Sequence, residues 1–271
     1  MAENWDATQF AARDNLLRVV KNEANSVFAL AEKHWESPTT SGHWEVRDII
    51  GHLVDVTEGY LERFKTTREG GTPDAIGPLT DMARLADERA LTYRSTEQPE
   101  LLKRLREDYD QVIDLFEGLG EEDWTNLMVT HGYMGSLPAF IYPVFQLMDY
   151  GVHGWDIREG LGMAHSMSAD VADFLAPFMF ILWQATCDVE RCEGQELNVG
   201  FRVSGRNGAN FRVKVSPDGY TYEPGDVDDL PTVFDFDPVS LVLTAFGRAQ
   251  AGTAYGDIEI ANKYRSLFFS I

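Results

Sequence analysis

Cysteine is almost missing from this chain: Cys187 and Cys192 are the only two among 271 residues. That excludes a disulfide framework, which a chain of this length does not need. A lone Cys-x4-Cys is also a poor metal signature, so two reduced thiols are expected. Basic residues are scarce as well. Lys and Arg number 23 against 44 Asp and Glu, a formal net charge of −21. Charge of that sign repels phosphate backbones and anionic lipid, so neither nucleic acid nor a membrane is an expected partner. Long apolar runs are absent too. The longest, at positions 178–183, falls far short of the roughly 20 residues that span a bilayer. Met1-Ala2-Glu3-Asn4-Trp5-Asp6 has neither the basic region nor the apolar stretch of a secretory signal. No internal repeat stands out. A cytoplasmic location is expected.

What remains is ample for a core, since 44% of the residues are hydrophobic. Apolar residues recur at three- and four-residue steps over positions 7–35, through Phe10, Leu17, Val20, Ala24, Val27, Phe28 and Ala31. A second helix is expected over 45–67, with Ile49, Ile50, Leu53, Val56, Tyr60 and Phe64 as its stripe and His52 beside it. A short helix over 82–93 and a longer one over 99–119 follow. Positions 121–135 read as irregular and hold Trp124, His131 and Tyr133. Ser136 and Pro138 then suit an N-cap and a first helical turn. The helix expected there carries apolar residues around much of its circumference. Ser168 caps another, reaching about 189, with Pro177 expected to kink it.

After Gly194 the pattern changes to alternation. Positions 197–203, 211–215 and 232–236 read as strands, and Ser216-Pro217-Asp218-Gly219 as a hairpin turn. Asp237-Pro238 opens a helix and Gly256-Asp257 the last one. The expected fold is therefore α+β with two domains: a helical part over 1–190 and a small α+β part over 191–271.

The chemistry gathers at Asp149-Tyr150-Gly151-Val152-His153-Gly154-Trp155-Asp156-Ile157-Arg158. Asp149 and His153 are four apart, so on a helix both leave one face, one turn apart. A carboxylate and an imidazole so placed can share a divalent ion, and His52 is the best third donor. Three ligands leave open positions for water or substrate. With zinc such a site generates a nucleophile at neutral pH, and with iron(II) it resembles an oxygenase facial triad. The plainer reading is that Asp149 and His153 hydrogen-bond each other and His52 is a satisfied core-edge histidine. Against it, Asp149 sits in an apolar helix with no basic residue before Arg158. Asp156 and His131 are the candidates for a catalytic role, Asp156 alternatively closing a helix-end salt bridge. The aromatics Trp44, Trp124, Tyr133 and Trp155 read as core more readily than as pocket walls.

At these residues the chain resembles a known family. Trp44-Glu45-Val46-Arg47-Asp48-Ile49-Ile50-Gly51-His52-Leu53 is similar to the W-x-V-x-D-x-x-x-H segment of the DinB-like superfamily. The likeness is closest to the mycothiol-dependent maleylpyruvate isomerase family. Asp149-x3-His153-Gly154-x-Asp156-Ile157 resembles that family's second motif, except that Asp149 stands where the isomerase has glutamate. Gly247-Arg248 resembles a Gly-Arg found in C-terminal domains of sterol-carrier-protein (SCP2-like) type. The resemblance implies a DinB-like four-helix bundle with a divalent metal, usually zinc, held here by His52, Asp149 and His153. It also implies mycothiol or another low-molecular-weight thiol as co-substrate, used for isomerisation or S-transfer on a small electrophilic metabolite. Arg248 would bind a carboxylate of thiol or substrate, or else form an ordinary ion pair. Two other functions stay open at this point: a thiol-independent metalloenzyme, such as a hydrolase or cyclase of natural products, and a non-catalytic small-molecule carrier.

Overall fold

A computed structural model of the chain describes residues 12–206 and 208–269. Positions 7–11 of the first expected helix lie outside them. The described residues fall into two compact units that divide between Met167 and Ser168. The change of sequence pattern puts the boundary later, at 190. The helix opened by Ser168 groups with the sheet, because its apolar residues meet the sheet's aromatics.

The first unit runs, in chain order, α1 (Arg13–Ala31), α2 (Val46–Arg68), α3 (Met82–Thr92), α4 (Gln98–Glu117), α5 (Glu121–Asn126), β1 (Met128–His131), β2 (Gly135–Pro138) and α6 (Ile141–Gly160). Four of these form the bundle. α1 packs along α6 and α2 along α4; contacts of α2 with α6 and of α1 with α4 close the ring. α3 and the β1–β2 hairpin lie against α2. Each long helix presents its apolar stripe inward, as Leu16, Leu17, Val20, Ala24, Val27 and Phe28 do on α1. α6 is buried on most sides, from Ile141 to Ile157. That explains why its sequence shows little amphipathic contrast.

One expectation fails here. Ser136 and Pro138 do not start a helix. They sit in β2, paired antiparallel to β1 with Ser136 opposite Thr130 and Pro138 opposite Met128. Gly135, at φ +79°, takes the left-handed turn that Ser-x-Pro chemistry does not reveal. α6 starts four residues later than a Ser136 cap implies.

The second unit contains α7 (Ala169–Thr186), β3 (Leu197–Val203), β4 (Ala209–Ser216), β5 (Gly219–Pro224), β6 (Thr232–Phe236), α8 (Pro238–Ala245), β7 (Thr253–Gly256) and α9 (Ile258–Arg265). The strands form one sheet in the order β5-β4-β3-β6-β7, parallel between β3 and β6 and antiparallel elsewhere. Its core is aromatic. Phe180 and Trp183 of α7 meet Phe201 of β3, and Tyr264 of α9 meets Phe201 and Phe234. α7 is capped by Ser168 accepting from the Val171 amide, and the helix continues through Pro177. The helical N-terminal part and sheet-bearing C-terminal part are thus an α+β fold. Among the described residues, no helix is long and apolar enough to cross a membrane.

Candidate metal centre

The site is built where α2 and α6 face each other. The two helices run antiparallel, and paired contacts step along them. Phe64 and Tyr60 meet Tyr142, Tyr60 meets Phe145, and Gln146 donates to Thr57 at 3.2 Å. The next rung brings His52 to Asp149 and His153. One donor atom from each lies within 4.8 Å of the others. His52 Nε2 is 3.8 Å from Asp149 Oδ1, and the two imidazole rings meet edge-on with centroids 5.2 Å apart.

Local sequence explains how His52 is held. Glu45 and Asp48 form a reciprocal capping box at the start of α2. Asp48 is fully buried and receives two further hydrogen bonds from Arg94, at 2.7 and 2.6 Å. Those bonds hold its carboxyl below the usual range even though burial alone pushes it upward. One turn on, Gly51 leaves room for the Ala90 carbonyl and Tyr93, which a side chain would strike. Trp44 ends the preceding loop. Its indole N–H donates to Asp87 at 2.7 Å, and its ring lies against both His52 and His153. It is a wall of the site as well as a core residue, a role the sequence reading did not give it.

Asp156 stands behind His153. It is fully buried and meets His153 Nδ1 at 3.1 Å. Thr40 donates to its other oxygen at 2.9 Å, tying the loop before α2 to α6. A carboxylate on Nδ1 fixes the proton there and leaves Nε2 bare, which is the usual support for a metal-binding histidine. Burial pulls the His153 pKa down, the Asp156 bond opposes it in part, and the nearby His52 adds to the fall. The ring is therefore neutral at physiological pH, as a ligand must be.

The donor set fits a divalent ion. Asp149 Oδ2 and His52 Nδ1 are buried without a hydrogen bond. A desolvated carboxylate beside two imidazoles calls for a counter-charge. Ligands each about 2 Å from one zinc ion stand roughly 3–4 Å apart, so a shift on the order of an ångström would close the group around an ion.

The mycothiol maleylpyruvate isomerase N-terminal domain matches residues 18–158, just over half of the chain. The chain belongs to that family. Among solved structures, the mycothiol-dependent maleylpyruvate isomerase aligns over 90% of this chain and 93% of its own, with TM-score 0.60 and 13% identity. A variant of that enzyme with a histidine changed to alanine aligns over the same shares, at 12% identity. A colibactin self-resistance protein bound to double-stranded DNA covers 55% of this chain at TM-score 0.46, too distant to bear on function. No curated protein sequence matches.

In this member of the isomerase-domain family, the family-like segment from Trp44 to Leu53 thus has a physical account residue by residue. The other expected residues fall elsewhere. His131 ends β1, outside the three-residue group, and its Nδ1 accepts from the amides of Tyr133 and Met134 at 3.3 and 3.2 Å. Burial and the cation of Arg63 hold it down at about 4. Arg248 belongs to the second unit. Gly247, at φ +66°, and Arg248 end α8 in a Schellman motif: their amides bond to the Thr244 and Leu243 carbonyls. The Arg248 guanidinium donates to the Phe246 carbonyl at 2.8 Å. Sequence reading takes Trp44 as core before pocket wall and gives Thr40, Tyr60 and Arg63 no role at the site. For Trp44 the signal was its place at the head of the W-x-V-x-D-x-x-x-H segment, and for Thr40 only its position in the loop ahead of the His52 helix.

Proposed function

We propose that this protein is a divalent-metal-dependent isomerase that uses a low-molecular-weight thiol, such as mycothiol, on a small electrophilic metabolite. His52, Asp149 and His153 are the proposed ligands, with zinc the proposed ion. The observation that carries the reading is the buried Asp149 carboxylate between two imidazoles, one of its oxygens without a hydrogen bond and one of the imidazoles backed by Asp156. Membership of the family and the fold shared with a mycothiol-dependent maleylpyruvate isomerase support the thiol and the reaction class. When bound, the ion would supply a Lewis acid that lowers the pKa of a thiol or water. The chain's own part is positional. Asp156 holds the His153 proton on Nδ1, Thr40 holds Asp156, and Trp44 shields both imidazoles from water. Asp149 would hold the ion on a side chain one methylene shorter than glutamate. S-transfer by the same site is a finer proposal of the same chemistry. The second unit is read as a sterol-carrier-like fold, which its mixed five-stranded sheet supports.

Metal analysis of protein purified without chelator tests the ligands. About one equivalent of metal is expected, lost in His52→Ala. Full retention in that variant removes the ligand assignment. Calorimetric titration of the metal-loaded protein with mycothiol tests the co-substrate, and absence of heat removes the thiol.

A further inference from the structure

Among the described residues, Arg63 is a half-buried cation near the α2–α6 seam without a hydrogen-bonded or ion-paired partner. Arg47, Arg84, Arg89, Arg94, Arg104 and Arg106 each pair with a carboxylate. Arg63 is half-buried and, among the described residues, has neither a hydrogen bond nor an ion pair. In a chain with 44 acidic side chains against 23 basic ones, an uncommitted half-buried guanidinium is unexpected. Desolvating an arginine without a counter-ion is costly, and that cost is met when an anion arrives.

Its position is specific. Arg63 lies eleven residues after His52, about three helical turns, so both leave the same face of α2. Arginine side chains on a helix lean toward its N-terminus. The guanidinium does so here, folding back over Gly59, where an added Cβ would come within 2.5 Å of Nη1. Gly59 is seven residues from His52, which places the guanidinium roughly 10 Å from the metal group along the axis. Gly132, in the turn of the hairpin, bounds the other side: a Cβ there would come within 2.9 Å of Nη2. The ring of His131 lies beside it with Nδ1 occupied by two amides, so its proton is on Nε2 and can be donated. Tyr60 stands between the two ends, feeling both the Asp149 charge and the Arg63 charge.

We propose that Arg63, with His131 as a neutral second donor, is a carboxylate-binding subsite that anchors one end of a small organic anion while its other end faces His52, Asp149 and His153. The planar fork of guanidinium suits a carboxylate, and the two glycines let it lie close against the backbone of α2 and of the hairpin turn. The roughly 10 Å span suits a metabolite of several carbons bearing an acid at one end and an electrophilic centre at the other. This deepens the proposed function by naming the substrate class, and it rests on that reading only for the far end of the molecule.

The test uses succinate as probe and succinamide as its uncharged counterpart, titrated calorimetrically into full-length protein. Succinate is expected to bind and succinamide not. Arg63→Gln is expected to weaken succinate about tenfold or more, the loss of a charge-assisted pair, while Arg68→Gln, exposed one turn on, leaves it unchanged. Binding is expected to persist in the chelator-treated His52→Ala variant, so the subsite stands or falls apart from the metal. Equal affinity in wild type and Arg63→Gln, or no binding by wild type, overturns the proposal. Where Arg63→Gln does not fold, wild-type protein answers: succinate is expected to protect Arg63 from phenylglyoxal, mapped by mass spectrometry, and unprotected modification overturns the subsite.

Discussion

The bundle unit and the sheet unit treat their buried polar atoms in opposite ways. Every buried side-chain nitrogen or oxygen without a hydrogen bond, among the described residues, lies in the bundle unit. His52, Asp149 and Gln146 are among them where α2 faces α6, and Tyr150 where α6 meets Phe28 of α1 and Tyr109 of α4. In the sheet unit the buried Tyr220 and Tyr264 hydroxyls instead meet each other at 3.3 Å. Phe180, Trp183, Phe201, Phe211 and Phe234 fill the rest with rings. One unit is packed for stability. The other keeps unsatisfied polar groups, which folding alone disfavours and which ligand binding would satisfy.

The largest effect expected from this contrast is in the sheet. Phe201→Ala removes a ring that touches both α7 and α9, and about 3–5 kcal/mol of stability should go with it. Urea denaturation followed by circular dichroism measures this, and a loss below about 1 kcal/mol would show that the aromatic core does not carry the unit.

A smaller effect belongs to His131. It is neutral in the folded chain, with its pKa pulled from 6.5 to about 4. The unfolded chain takes up the proton first, so stability is fully present above 6.5 and is lost as pH falls toward 4. At about 1.4 kcal/mol per unit the swing is at most about 3 kcal/mol. Urea midpoints of chelator-treated protein from pH 7 to 4.5 should fall less steeply in His131→Gln than in wild type, and parallel slopes would remove His131 from the account.

The smallest effect has the opposite sign and sharpens the contrast most. In metal-free protein Asp149→Asn should leave stability unchanged or raise it by about 1 kcal/mol, because it removes a buried carboxylate oxygen that has no hydrogen bond. A clear loss in the same denaturation assay would mean that Asp149 is satisfied by the protein itself.

Much of this was readable in the sequence where the determinants are local. Asp237-Pro238 opens α8 where the cap rule puts it, and β3 and β6 match their alternating runs residue for residue. The Asp149 and His153 pair needed only helical spacing. What failed depended on distant partners. Four-residue strands such as β1 and β2 carry too little alternation to be seen, and Ser136-x-Pro138 carries the chemistry of a helix start. Arg94 meets Asp48 across 46 residues and Thr40 meets Asp156 across 116. No local pattern encodes either pair. Arg63 was invisible for another reason: its interest lies in having no partner, which only a folded neighbourhood can show.

The bond between Thr40 and Asp156 has a consequence for assembly in time. The residues of the candidate metal group come from chain segments about a hundred positions apart, and Thr40 with Asp156 spans a still longer loop. Contacts so distant in sequence form late, because the entropy of closing the loop must be met before they give anything back. A nascent chain that ends before α6 holds His52 and Trp44 but no site. The proposed capacity to bind an ion would therefore arrive with the last helix of the bundle, and the rise of metal affinity during refolding would time the docking of α6.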